Sequence, residues 1–423
     1  MVETHILNIW FTQTRKVLEG NKSVTLNLRF DIKKYLLYIG IFAFVVNEVS
    51  FVMIKTTSGT IRLLVDGVAT LLILISTGRK SVGKKDMFAL VALLFMPIFS
   101  MAITMNIKQS IIFILLISFA WIVSISVREQ AFWIMFRRIM VFLTSFSLAM
   151  YIAYLIVPGL IQNMPVAVMN RFYTAYNTIF AVIVDTGYAL RNFGIFFEPG
   201  AYSIFLLLAL FLEFCYFKVN IKHVALYIIA LLTTYSTLGI SVMLILFFIV
   251  LFRRNGVQNK YLKWVIAMVC VGGAIYLLTS GEHFMYQVFG KITNMNESAT
   301  ARLNSIIIPV EEFMGSPIWG IGLNNFLTML EDRCDGIATF TFINCFTIYG
   351  LLWGFLPTIG CIKVLVSKVK EPMSKVVVLL FAILLFSTEA FEQVPFFYLL
   401  VFYGWKGEKT QYEENDLIRC SRV

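Results

Sequence analysis

Apolar runs of roughly 16 to 26 residues recur along this chain from one end to the other, and that recurrence constrains the fold more than any other feature. A helix rises about 1.5 Å per residue, so roughly 20 apolar residues cross a hydrocarbon core of about 30 Å. Soluble domains interrupt such runs with charge, at roughly 25% of residues. Here charged residues make up 14% of the chain and hydrophobic ones 59%. The chain reads as an all-α polytopic membrane protein, which excludes two-domain soluble enzymes and disordered scaffolds.

Spans are expected near 35–54, 61–77, 87–105, 109–127, 139–157, 199–217, 262–280 and 341–366. Two further stretches, 224–252 and 376–405, are too long for one straight crossing, reaching about 44 Å as single helices. Basic residues flank both ends of each: Lys218, Lys222, Arg253 and Arg254 around the first, Lys375, Lys406 and Lys409 around the second. Same-side flanks imply two crossings each, for about 12 segments with both tails inside. The formal charge of +11 would suggest nucleic acid if it formed one stripe, but the basic residues cluster between apolar runs. Of 35 Lys and Arg, eight fall outside: Lys55, Arg62, Lys108, Arg171, Arg191, Lys291, Arg302 and Arg333. That bias places the remainder in the cytoplasm.

Residues 1–34, with six basic and three acidic residues and no long apolar core, read as a basic cytoplasmic tail rather than a cleaved signal. Residues 35–406 form the transmembrane domain, with long extracytoplasmic loops at about 158–198 and 281–340, and 407–423 form a second cytoplasmic tail. The six cysteines show no disulfide framework; Cys334 alone lies in a polar outer segment. The short hairpin arms imply polar tips below the outer surface: Thr233 to Gly239, including Ser236, and Ser387 to Gln393. Polar backbone at that depth lines a wet cavity or packs in protein, and a cavity open to the outside is the expectation.

In loop 158–198, Phe172, Tyr176 and Phe180 share one helical face, which suggests an interfacial helix or ordinary packing on the bundle. The loop ends in RNFGIFFEPGAY. Pro199 suits the first position of a helix, so Glu198 stands at its cap, and at a membrane boundary a carboxylate there is either a cap or a general base. Loop 281–340 carries a net charge of −4. In NESATARLNSIIIP, Ser298 can cap a helix whose positive end Arg302 would share, as suits an anion. In GSPIWGIGLNNF, Gly315, Gly320 and Gly322 either allow backbone amides to approach a phosphate or simply make turns. Arg62 and Asp66, four residues apart, can pair. Three histidines in separate segments make no metal cluster, and no nucleotide-binding spelling appears; no cofactor is expected.

Arg191, Gly194, Phe196, Glu198 and Pro199, the Thr233–Gly239 tip, then Thr300, Arg302, Pro317, Gly320, Gly322 and Asn324, then Asn344 and Gly350, occur in the order found in the Wzy-type O-antigen and capsular polysaccharide polymerases. The chain resembles that family over about residues 35–405. The resemblance implies a GT-C-like membrane glycosyltransferase of the bacterial cytoplasmic (inner) membrane with its site on the extracytoplasmic side. It would join undecaprenyl-diphosphate-linked oligosaccharide repeat units, transferring the growing chain onto the non-reducing end of a new unit, without a metal and with inversion. Arg191 and Arg302 would hold the diphosphate and Glu198 act as base. Arg62, Arg171, Lys291 and Tyr202 would contact phosphate or sugar, Asn324 and Asn325 sugar hydroxyls, with Ser236, Gly320 and Gly322 lining the substrate. Partners would be membrane lipid, the lipid-linked substrates and a chain-length regulator, not nucleic acid. A ligase of the same superfamily is the near rival, although His283 lacks the ligase context; a transporter or flippase of lipid-linked sugars is the rival from another class.

Overall fold

A computed structural model describes residues 12–15, 24–27, 32–78, 82–104, 107–169, 173–187, 190–252, 297–334, 339–387 and 389–406. Two short strands, β1 (Thr12–Arg15) and β2 (Val24–Asn27), pair antiparallel. The helices that follow are α1 (Ile32–Val46), α2 (Phe51–Thr56), α3 (Gly59–Thr77), α4 (Lys84–Thr104), α5 (Ile107–Ser126), α6 (Glu129–Ile156) and α7 (Pro158–Gln162). After a sheet of β3 (Val166–Met169), β4 (Thr174–Asn177), β5 (Val182–Asp185) and β6 (Leu190–Asn192) come α8 (Pro199–Cys215), α9 (Ile221–Thr233) and α10 (Thr237–Phe252). The described chain resumes with α11 (Glu297–Gly315), α12 (Leu323–Arg333), α13 (Thr341–Val366), α14 (Pro372–Leu385) and α15 (Pro395–Lys406).

Among the described residues, α3, α4, α5, α6 and α13 are each long and apolar enough to cross a membrane. Their exposed apolar residues fall in stripes: Leu64, Val68, Leu71 and Ile75 on α3, Phe88, Val91, Phe95 and Ile98 on α4. Steps of three and four residues keep each stripe on one helix face, where hydrocarbon rather than water is the compatible solvent. At the centre, every residue of α8 is buried, as is α15 from Pro395 to Gly404. Phe136 of α6 stacks on Phe396 of α15, and Phe205 of α8 packs on the same ring. The membrane-protein reading holds, and every sequence-predicted segment within the described residues coincides with a helix or helix pair. The segment predicted at 262–280 lies outside the described residues.

Three departures from the sequence reading have causes visible in the structure. The run at 35–54 is not one helix. After Val46 the chain turns through Asn47–Val49, because Asn47 donates its side-chain amide to the Arg62 carbonyl (2.7 Å) and the 49–51 backbone pairs with 195–197: Phe51 N–H to the Ile195 carbonyl and Phe197 N–H to the Val49 carbonyl, both 2.9 Å. The stretches at 224–252 and 376–405 do fold as two helices each, α9–α10 and α14–α15. Helix α13 is broken at Gly350, whose φ of 71° no helix accommodates.

Loop 158–198 is the third departure. Instead of an interfacial helix it forms a four-stranded antiparallel meander in the order β3-β4-β5-β6. Val182-Ile183-Val184 is β-branched throughout, and such side chains lose χ1 freedom in a helix but fit a pleated surface. Phe180 lies in the β4–β5 turn and sits edge-on against Phe142 and Phe146 of α6. Tyr176 packs beside Tyr154 of α6, and Phe172 lies outside the described residues. The mainly helical architecture thus carries a four-stranded sheet docked on α6 by Tyr154 Oη donating to Asp185 (2.7 Å) and Tyr151 Oη donating to the Leu190 carbonyl (3.2 Å).

Helix ends at the opposite end of the bundle gather its cations. Lys406 pairs with Asp86 (3.6 Å) and donates to the Ser124 carbonyl (2.7 Å), Lys368 pairs with buried Glu129, Arg137 with buried Glu213, and Arg138 donates to Tyr38. These groups come from the connections that the charge count assigns to the cytoplasm.

Candidate functional site

The candidate site lies at the sheet-bearing end, where β6, the α9–α10 tip, the N-terminus of α8 and the α14–α15 tip meet. Arg191 on β6 donates from Nε to the Thr234 carbonyl (3.1 Å) and from an Nη to the Tyr235 carbonyl (3.4 Å), with its guanidinium over the Phe193 ring. Those carbonyls end α9, so Arg191 complements the negative end of that helix. Neighbouring Asn192 is fully buried and donates to Ser147 Oγ (3.3 Å) and Thr233 Oγ1 (3.2 Å), while accepting from Gly194 N–H (2.9 Å). Together they fasten the sheet to α6 and to the α9 tip.

Six residues beyond Asn192, Glu198 stands at the N-cap of α8, with Pro199 at the first helical position as expected. Its side chain makes no capping hydrogen bond and forms no ion pair among the described residues, and it is half-buried. Another carboxylate occupies that space: a Cβ on Gly200 would lie 2.0 Å from Oε1 of Glu389, which is buried against the first turn of α8. Two carboxylates from opposite halves of the sequence thus flank one positive helix end.

Both polar tips are packed in protein. Thr341 Oγ1 donates to the Glu389 carbonyl (2.8 Å) and accepts from Phe391 N–H (2.9 Å). Asn344 donates to the Thr339 carbonyl (2.7 Å) and to Glu392 Oε1 (3.2 Å), deep in the core. Ser236 caps α10, accepting from Gly239 N–H (3.2 Å), and is buried in that role. The expectation of tips lining an open cavity gives way to burial in protein for most of the described tip residues, with Asn344 Oδ1 and Glu392 Oε2 buried without a hydrogen-bond partner.

Several expected ligand contacts are otherwise engaged. Tyr202 is 0% exposed and its hydroxyl is hydrogen-bonded to Ser147 Oγ (2.8 Å), so it is a core residue rather than a sugar contact. Arg62 pairs with Glu48 (3.6 Å), not with Asp66, which is buried on the inner face of α3. Gly320 and Gly322 form a clasp with the break in α13: Ile321 N–H donates to the Thr347 carbonyl (2.9 Å), Gly322 N–H to the Ile348 carbonyl (3.0 Å), and Leu351 N–H to the Pro317 carbonyl (2.7 Å). A Cβ on Gly320 would lie 2.5 Å from the Ile348 carbonyl oxygen and from the Gly350 N, so the close approach of two backbones requires glycine there. Asn324 and Asn325 sit in the first turn of α12, where Asn325 donates to the Ile321 carbonyl (2.9 Å).

Arg302 lies on α11, whose described part already begins at Glu297, so Ser298 is inside the first turn rather than capping it. The side chains of Thr300 and Arg302 are outside the described residues, as are Arg171, Lys291 and His283 entirely. Arg333, the other outer arginine of that loop, is spent on Glu311 and Glu312. The described cysteines Cys215, Cys334, Cys345 and Cys361 are buried free thiols, and no metal-binding group of side chains occurs among the described residues. What sequence reasoning missed is the approach of Glu389 to Gly200; the glycine directly after Pro199 was its only local trace. No protein-family model, curated protein or solved structure matches the chain.

Proposed function

We propose that this chain is a Wzy-type polymerase: a multi-pass glycosyltransferase of the bacterial cytoplasmic membrane that joins undecaprenyl-diphosphate-linked oligosaccharide units on the extracytoplasmic side, in about 12 crossings of GT-C-like arrangement. The observation that carries it is Glu198. It stands at the N-cap of α8, and its side chain makes no capping hydrogen bond and no ion pair among the described residues. It remains half-buried at the helix end that follows Arg191, where a carboxylate can accept a proton from an acceptor sugar hydroxyl.

In this mechanism the acceptor hydroxyl attacks the anomeric carbon of the donor, the glycosyl–diphosphate bond breaks, and the hydroxyl proton passes to Glu198. Undecaprenyl diphosphate leaves with the electron pair, stabilised by Arg302 and by the positive surroundings of Arg191. One displacement inverts the anomeric carbon. No step calls on a metal, because diphosphate is already a good leaving group.

The test is reconstitution of the purified protein in liposomes with one undecaprenyl-diphosphate repeat unit and no nucleotide sugar, read as a ladder on a gel. A ladder from wild type that is lost in Glu198→Gln and Arg302→Ala supports polymerisation at this site. A folded wild type that forms no ladder but moves the lipid-linked unit between leaflets makes the chain a flippase.

A further inference from the structure

A cavity of about 500 Å³ opens at the cation-rich end of the bundle, between α6 and the α8–α9 connection, far from the candidate site. Its polar wall is Arg137, Arg138, Lys218 and His223, and its apolar wall includes Val141, Phe142 and Phe217. The positive charges are unevenly neutralised. Arg137 makes a two-pronged bond to Glu213, Nε to Oε1 at 2.6 Å and Nη2 to Oε2 at 3.0 Å, and Glu213 is 0% exposed. His223 Nδ1 meets the same carboxylate at 2.9 Å, and the Asn220 N–H donates to it at 3.3 Å. Glu213 is therefore fully used in holding the pocket floor together. Arg138 and Lys218 are exposed and form no ion pair among the described residues, which leaves the cavity an excess of two positive charges.

The cavity is also graded along α6. Arg138 is fixed at its position by Tyr38, to whose hydroxyl it donates and over whose ring its guanidinium lies. One helical turn further from the cationic end, Phe142 exposes half of its surface, with Val141 beside it. Cations at the rim and exposed aromatic and aliphatic surface one turn deeper match an amphiphile whose anionic head lies outward and whose chains run inward. A free anion would use the rim and leave the apolar wall unexplained.

We infer that this pocket binds the phosphate headgroup of an anionic phospholipid from the leaflet at the cationic end, which the charge count makes the cytoplasmic one. The site is separate from the one proposed for polymerisation, so it stands or falls independently of that reaction. Arg138 and Lys218 hold the phosphate, Arg137 and Glu213 hold Arg138's neighbouring turn and the connection in register, and Val141 and Phe142 line the acyl chain.

Binding is measured on the full chain in mild detergent by native mass spectrometry, with titration of phosphatidylglycerol, phosphatidylcholine and inorganic phosphate. Wild type should retain phosphatidylglycerol roughly ten- to thirty-fold more tightly than phosphatidylcholine, the range expected from two cations near one phosphate. Arg138→Glu with Lys218→Glu should bring the two lipids to equal retention, and the milder Arg138→Gln should lose part of the preference. Lys375→Glu, an exposed charge change outside the pocket, should leave it intact. Equal retention of both lipids by wild type, an unchanged preference in the double variant, or displacement of the lipid by millimolar inorganic phosphate would each overturn the assignment.

Discussion

Replacing Gly350 by alanine tests the clasp that closes α13 onto the loop before α12, and the protein supplies its own control. Gly350 has φ 71° and ψ 179°, a conformation open only to glycine, with a cost of about 1–3 kcal/mol for any other residue. Gly78, at the C-cap of α3, has φ 72° and ψ 178°. The two backbones are the same; the surroundings are not. A Cβ on Gly78 meets nothing within 4 Å, whereas one on Gly350 lies 2.1 Å from the Ile318 carbonyl oxygen and 2.7 Å from the Gly320 N. Backbone atoms cannot swing aside, so the clasp must open and give up three hydrogen bonds, each with a net value of about 0.5–1.5 kcal/mol. Gly78→Ala should therefore cost about 1–3 kcal/mol and Gly350→Ala roughly 2–4 kcal/mol more, against a total stability of about 5–15 kcal/mol. Thermal unfolding of both variants in the same detergent, followed by tryptophan fluorescence, gives the comparison. Equal unfolding midpoints for the two variants would show that the clasp does not form.

Arg137→Met should destabilise by about 3–5 kcal/mol, because it takes the two-pronged guanidinium from the buried Glu213 carboxylate and leaves it only His223 and the Asn220 N–H, and Arg137→Met with Glu213→Leu should recover most of that loss in the same unfolding assay. Tyr202→Phe should cost only about 0.5–1.5 kcal/mol, the value of its bond to Ser147, and leave polymerisation in liposomes within about twofold of wild type. Glu198→Gln should lower the polymerisation rate roughly 100- to 10,000-fold while leaving the unfolding midpoint unchanged, since no cap hydrogen bond is lost. A fall in midpoint of several degrees would return Glu198 to a structural role.

Membrane insertion and helix positions were legible because both depend on properties summed over about 20 residues. A run such as 109–127 needs no partner to declare itself, and the hairpins at 224–252 and 376–405 followed from length and flanking charge. Features set by long-range pairing were not legible. The 35–54 run carries no breaker strong enough to end α1 at Val46; the extended segment at 195–197 ends it by claiming the Val49 and Phe51 backbone groups. The 158–198 loop contains both a helical aromatic spacing and a β-branched triplet, and the sheet formed because β5 has neighbours on both sides and a helix to rest on. Local propensity is a weak prior in either direction, and tertiary context decided.

The same distinction explains the fate of the expected site. Glu198 was identifiable as a cap residue from Pro199 alone, but whether it caps depends on who else reaches the first turn of α8. Glu389 reaches it, carried there by a tip that Thr341 fastens from both sides through the Glu389 carbonyl and the Phe391 N–H. Gly200 makes the approach possible because any side chain would occupy the position of Glu389 Oε1. Glu389 thus fills the space beside the first turn of α8, while Glu198 makes no side-chain cap bond there. The proposed site therefore draws on three residues, Glu198, Gly200 and Glu389, of which only the first two are close in sequence.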